Sequence, residues 1–173
     1  VCSSDLSIAS LKPDMGALSR LDRGVLLVDA RARVLFTDRT AADLLAQAEH
    51  DADAQSILIT TDPALGHAVA GAVDRILPSL PRAAIAGASW RDYGTIIIAR
   101  NLDEAADLSN RIAPEHLELC VDDPEALAAR CRHAGAIFMG GWTPEAAGDY
   151  VSGPNHVLPT ARSARFSSGL SVM

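Results

Sequence analysis

Residues 94–121 read GTIIIARNLDEAADLSNRIAPEHLELCV. The opening Thr95-Ile96-Ile97-Ile98 is apolar at every position, which suits a strand buried on both faces and not one with a wet side. Residues 103–112 follow with acidic residues first and Arg111 near the end, the charge order that complements a helix dipole. Pro114 stops that helix, and Leu117-Glu118-Leu119-Cys120-Val121 starts a second strand. Strand, helix and strand with apolar strands predict a parallel sheet covered by helices.

The same alternation extends in both directions. Residues 41–50 read as a helix with Leu44, Leu45 and Ala48 on one side. Residues 56–60 (Ser-Ile-Leu-Ile-Thr) read as a strand, and Asp62-Pro63 as a turn and helix start. A helix over 64–77 ends at Pro78. Downstream, Asp123-Pro124-Glu125 opens a helix to about His133, Ala136-Ile137-Phe138-Met139 is a strand ending at Gly140-Gly141, and Thr143-Pro144-Glu145 starts another helix. The expected class is α/β, a Rossmann-like parallel sheet flanked by helices that forms an incomplete domain of a larger enzyme.

The stretch before Thr40 reads differently. Arg20, Arg23, Arg31, Arg33 and Arg39 crowd together. Residues 24–29 are strand-like, but their flanks show no helix or turn logic. Val1-Cys2-Ser3-Ser4-Asp5-Leu6 resembles translated adapter sequence. Residues 1–39 are therefore expected to be an artificial or out-of-frame stretch, and residues 40–173 the α/β fragment.

Composition narrows the function. A chain of 173 residues with 49% hydrophobic residues builds a core and is not a disordered tail. Aromatics are only 4%, so that core is aliphatic. A net charge of −7 argues against a broad nucleic-acid surface. No apolar run is long enough for a membrane span, and no secretory signal is present, so a cytoplasmic location is expected. Cys2, Cys120 and Cys131 lack metal-ligand spacing and read as reduced, inert thiols.

Three places carry candidate chemistry. Glu115 and His116 stand side by side after a proline, in the expected turn between helix and strand, and are the residue types best suited to moving protons near neutral pH. Gln47 and His50 are three apart on a helix and so share a face that could grip an ion; such a pair is also an ordinary solvated face. The run from Gly148 to His156 presents Asp149, Asn155 and His156 from glycine-rich chain, as a polar site or as a surface loop. No G-x-G-x-x-G dinucleotide fingerprint occurs anywhere.

Taken together, Leu44-Leu45-Ala46-Gln47-Ala48-Glu49-His50, Asn110-Arg111-Ile112-Ala113-Pro114-Glu115-His116-Leu117-Glu118 and Gly148-Asp149-Tyr150-Val151-Ser152-Gly153-Pro154-Asn155-His156-Val157-Leu158-Pro159-Thr160 resemble histidinol dehydrogenase in order and spacing. The resemblance runs from about Thr40 to Met173 and covers less than half of a full family member. It implies NAD-dependent oxidation of L-histidinol, through histidinal, to L-histidine. It implies zinc held by Gln47, His50 and Asp149, proton handling by Glu115 and His116, and a substrate pocket that includes Gln47, His50, His116, Asp149 and His156. In the family a further zinc-binding histidine comes from the partner subunit of a homodimer, and an NAD-binding region precedes the matched segment. This chain is expected to lack both and to have no dehydrogenase activity alone. Two other readings stand beside it: a non-catalytic remnant, and a zinc hydrolase with Glu115 as base.

Overall fold

The computed structural model describes residues 23–29, 37–143 and 157–167. Five strands form one sheet: β1 (Arg23–Val28), β2 (Gln55–Thr60), β3 (Thr95–Ile98), β4 (His116–Cys120) and β5 (Ala136–Met139). They lie in the order β3-β2-β1-β4-β5. Every pairing is parallel. The helices between them are α1 (Thr37–His50), α2 (Pro63–Ile76), α3 (Ala83–Tyr93), α4 (Leu102–Ile112) and α5 (Pro124–Ala128).

Each face of the sheet buries its own aliphatic cluster. Leu26, Val28, Leu58 and Cys120 meet Ala41, Leu44, Leu45 and Ala48 of α1 and Leu65, Val69 and Val73 of α2. On the other face Val25, Leu27, Ile57, Ile59, Leu117 and Leu119 meet Ala105 and Ala106 of α4 and Leu127 of α5. Neighbouring residues of β1 thus feed opposite clusters, the period-two alternation of a strand with both faces covered. The helix face expected at Leu44, Leu45 and Ala48 is the buried face of α1.

Side chains start the helices, at Asp62-Pro63 and Asp123-Pro124 where the sequence indicated. Asp62 accepts from the Ala64 N–H ahead of α2, with Pro63 first in the helix. Asn101 accepts from the Glu104 N–H at α4, and Asp123 from the Ala126 N–H at α5.

The strand-like residues 24–29 supply β1, so the sheet draws its central strand from the arginine-rich stretch ahead of Thr40. The structure departs from the expectations in four places. α1 starts at Thr37, and the expectations had no counterpart to α3. α5 stops at Ala128 instead of running to His133. There the Asn110 side chain donates to the Arg130 carbonyl at 2.8 Å and accepts from the Arg132 N–H at 2.6 Å, which takes these backbone groups away from a continuing helix. Finally, His116 opens β4 instead of sitting in the turn before it. Pro144 and Glu145 of the expected helix start, with Asp149 and His156, lie outside the described residues. Among the described residues no helix is long and apolar enough to cross a membrane.

Candidate active site

Helices of a parallel sheet run against the strands, so the C-terminal half of α1 lies beside the starts of β1 and β4. Register pairs Gly24 with His116, Leu26 with Glu118 and Val28 with Cys120. His116, Glu118 and Cys120 alternate along β4 and therefore share one face. Leu26, Val28 and Cys120 belong to the cluster under α1, so that face is the α1 side. The strand thus carries an imidazole, a carboxylate and a thiol toward the helix that bears Asp43 and Gln47.

Gln47 is 3% exposed, an unusual burial for an amide. Gly24 makes room for it: a Cβ at Gly24 would stand 2.9 Å from Gln47 Cγ and 3.0 Å from its Oε1. On the other flank, the Phe138 ring of β5 lies 6.1 Å from the His116 ring, tilted by 44°. A cavity of ≈ 20 Å³ between α1 and the sheet is lined by Gly24, Asp43, Gln47, His116 and Glu118, among others. That volume suits about one water molecule.

The charges around the cavity are set by burial. Glu118 is 5% exposed and accepts a hydrogen bond from the Cys120 thiol at 3.1 Å. Burial, and then the Glu118 charge, push the Cys120 thiol far up, so it stays protonated and donates. Burial also raises Asp43, and Arg39, 3.7 Å away on the same helix, pulls it partly back. Arg39 in turn stands over the Trp142 ring at 5.4 Å.

The turn before β4 is fixed from three sides. Ala113 ends α4 in the left-handed conformation, at φ 52°, and its N–H reaches the Ser109 carbonyl at 2.8 Å. The Pro114 and Glu115 carbonyls accept from the N–H groups of Gly135 and Ala136, at 3.0 and 2.8 Å, which ties the turn to the start of β5. A Cβ on Gly135 would stand 2.7 Å from the Glu115 carbonyl oxygen, so only glycine permits this approach. From the third side, Arg162 and Arg165 both donate to the Arg111 carbonyl, at 2.8 and 2.5 Å, placing positive charge on the negative end of α4.

The structure therefore brings Gln47 and His116 to one cavity. Glu115 is half-buried in the clamped turn and does not line that cavity. His50 is exposed as the last residue of α1, one helical turn beyond Gln47. Among the described residues no three His, Cys, Asp or Glu side chains come together as a metal cluster. Asp149 and His156 are outside the described residues. Sequence reasoning missed Asp43, Glu118 and Gly24. The signal for Glu118 was its two-residue offset from His116 on a strand; that for Asp43 was its one-turn offset from Gln47 on a helix.

Comparison with known proteins gives a consistent picture. The family model described as histidinol dehydrogenase matches residues 26–173. The histidinol dehydrogenase of Cereibacter sphaeroides is 76% identical over 136 residues, 79% of this chain and 31% of the relative. That of Ruegeria pomeroyi is 75% identical over the same shares. The crystal structure of histidinol dehydrogenase from Elizabethkingia anophelis superposes with a TM-score of 0.82 at 38% identity, covering 87% of this chain and 34% of that one. The chain spans about a third of the length of the relatives it matches.

Proposed function

The chain belongs to the histidinol dehydrogenase family, and from that premise we propose that it supplies the metal-, substrate- and proton-handling part of an enzyme that oxidises L-histidinol to L-histidine. The observation that carries the reading is the meeting of Gln47 and His116, from α1 and β4, at one small polar cavity. Gln47, His50 and Asp149 would hold zinc. Of these, Gln47 is buried against Gly24, and His50 ends α1, where the helix dipole favours a cation. Imidazole and carboxylate are common zinc ligands, and a neutral amide in the set leaves the ion more electrophilic.

Zinc, when bound, would polarise and orient the amino alcohol, and NAD would supply the hydride acceptor. The chain's own residues handle the protons. In the first oxidation His116 takes the hydroxyl proton as hydride leaves the carbinol carbon, giving the aldehyde. In the second, Glu115 takes a proton from water as its oxygen adds to the aldehyde carbon. His116 has meanwhile released its first proton to solvent; the hydrate then loses hydride to the acceptor, with its hydroxyl proton passing to His116, and the acid results. His116, Asp149 and His156 would line the substrate pocket. The intact enzyme is read as a cytoplasmic homodimer in which the partner subunit completes the zinc set and a separate region of the protein binds NAD.

The kinetic test uses a complete enzyme carrying this segment. His116→Asn should lower histidinol-dependent NADH formation by about 10²- to 10⁴-fold, the usual worth of a general base. It should do so with zinc content unchanged. Undiminished turnover in that variant would refute the assignment.

A further inference from the structure

β5 is an edge strand of the sheet, and it buries one side chain. Ile137 and Met139 share one face of the strand and are 37% and 46% exposed, whereas Phe138, on the other face, is 9% exposed. Among the described residues Phe138 is the only buried aromatic side chain, in a protein whose two core clusters are built mainly from aliphatic ones. Register decides what that ring meets. β4 and β5 pair His116 with Ala136 and Glu118 with Phe138. Phe138 is therefore a diagonal neighbour of His116, a spacing that aromatic side chains can cross. Ala136, directly opposite His116, brings only a methyl group and leaves the diagonal open. The 6.1 Å between ring centroids and the 44° tilt lie within the range of an aromatic pair.

We propose that Phe138 is a positioning residue for His116: its ring, fixed by the β4–β5 register, helps to hold the imidazole in one orientation, from which it meets the proton of the reacting hydroxyl.

The backbone makes Phe138 a firm wall. Gly135 and Ala136 donate from their N–H groups to the Pro114 and Glu115 carbonyls, and Gly140 donates to the Leu119 carbonyl at 2.9 Å, so β5 is pinned to β4 on both sides of Phe138. His116 is half-buried, so one part of its ring faces Phe138 while another stays reachable. The attraction between two tilted rings depends on their angle, so it selects among ring orientations, which an aliphatic neighbour does much less. Proton transfer needs the base nitrogen within hydrogen-bond reach and aligned, and an imidazole that turns spends part of its time unable to react. His116 has other interactions within the fold, and these add to the hold without replacing the aromatic one.

The consequence for catalysis rests on the dehydrogenase reading, but the ring orientation does not, and each has its own measurement. On the 173-residue chain, nuclear Overhauser contacts from the His116 ring protons should reach the Phe138 ring and fit one imidazole orientation. Phe138→Leu, which keeps an apolar side chain in the gap, should give contacts from more than one orientation, and Phe138→Tyr should restore the single one. A wild type without contacts between the two rings overturns the proposal, whether or not a variant folds. So does a folded Phe138→Leu chain that keeps the single orientation; if that chain does not fold, Phe138→Met takes its place. In a complete enzyme carrying this segment, Phe138→Leu should lower kcat about three- to tenfold with KM for histidinol within about twofold, and Phe138→Tyr should recover the rate. The loss should vanish in a His116→Asn background, where no imidazole remains to be held. A loss of the same size in both backgrounds would make Phe138 merely structural and overturn the proposal. If the complete enzyme had no histidinol activity even as wild type, the dehydrogenase reading would fail, and the spectra would still decide the orientation.

Discussion

Gly24 and Gly135 each hold a place open for a proposed functional residue, and they differ in how an added methyl would be met. At Gly24 the obstacle is the Gln47 side chain, which can turn aside, although it is buried. At Gly135 the obstacle is the Glu115 backbone oxygen at 2.7 Å, which cannot move without unseating the turn. Gly135→Ala should therefore cost about 1–3 kcal/mol in urea unfolding, as overpacked sites do. Gly24→Ala should cost less but weaken zinc binding in a complete enzyme, since it displaces a proposed ligand. Equal stability losses with unaltered zinc affinity would contradict this division. The buried thiols give a second prediction at this scale. Burial raises both Cys120 and Cys131, so their thiolates are disfavoured in the folded chain. Neither should react with a thiol reagent at pH 8 until the chain unfolds, a comparison read by mass mapping before and after denaturant. The sign of the linkage follows. A group raised in the folded state stabilises below its unfolded pKa, so stability should fall as pH rises past about 8.5. Flat stability from pH 7 to 10 would be the opposite result.

At the scale of elements, the caps are the cheapest parts of the fold to test. Asp62 is 3% exposed and caps α2, while Asn101 caps the more exposed start of α4. Asp62→Ala should cost about 1–2 kcal/mol, at the upper end for a lost cap, and Asn101→Ala less. Chemical denaturation of the two variants would reverse the order if burial did not matter. The Asp62 cap was legible because proline and a short polar side chain mark a helix start wherever they occur; Asn101 has no such proline after it. The strands β2 to β5 were legible for a similar reason, as apolar runs too short to be helices. β1 was harder: its apolar core is flanked by arginines and aspartates, and what makes it the central strand is pairing with β2 and β4, which are remote in sequence. α3 carries alanine, glycine and serine with few large apolar residues, a weak periodic signal that packing against α1 turns into a helix. The end of α5 depends on Asn110, a long-range partner that no local pattern announces.

At the scale of the whole molecule, the sheet order places a switch of direction between β1 and β4, where crossovers leave to either side. Parallel sheets usually bind ligands at the carboxyl ends of such strands. Here the polar cavity lies at the opposite ends, where Gly24 and His116 begin their strands, and the end of α1 brings Gln47 to them. General fold rules would have pointed to Gly140-Gly141 instead. The motif around Glu115 and His116 pointed to the end of the sheet where this cavity lies, because its proline and the residue types suit chemistry. The residues that share a cavity with His116, Glu118 and Asp43, became visible only once strand and helix were packed. The clamp of Arg162 and Arg165 on α4 extends the same theme, joining the chain that follows His156 to the turn bearing Glu115.

The central claim is that this segment divides two proton tasks between adjacent residues, and stoichiometry tests it most directly. The matched segment of this chain would replace its counterpart in the complete Cereibacter sphaeroides relative, with and without Glu115→Gln, and NADH formed per histidinol consumed would be counted. The account predicts two NADH per histidinol for the unaltered segment, and accumulation of histidinal with close to one NADH for the variant. A folded, zinc-loaded chimera that forms no NADH from histidinol, or a Glu115→Gln variant that still forms two at an undiminished rate, would contradict it.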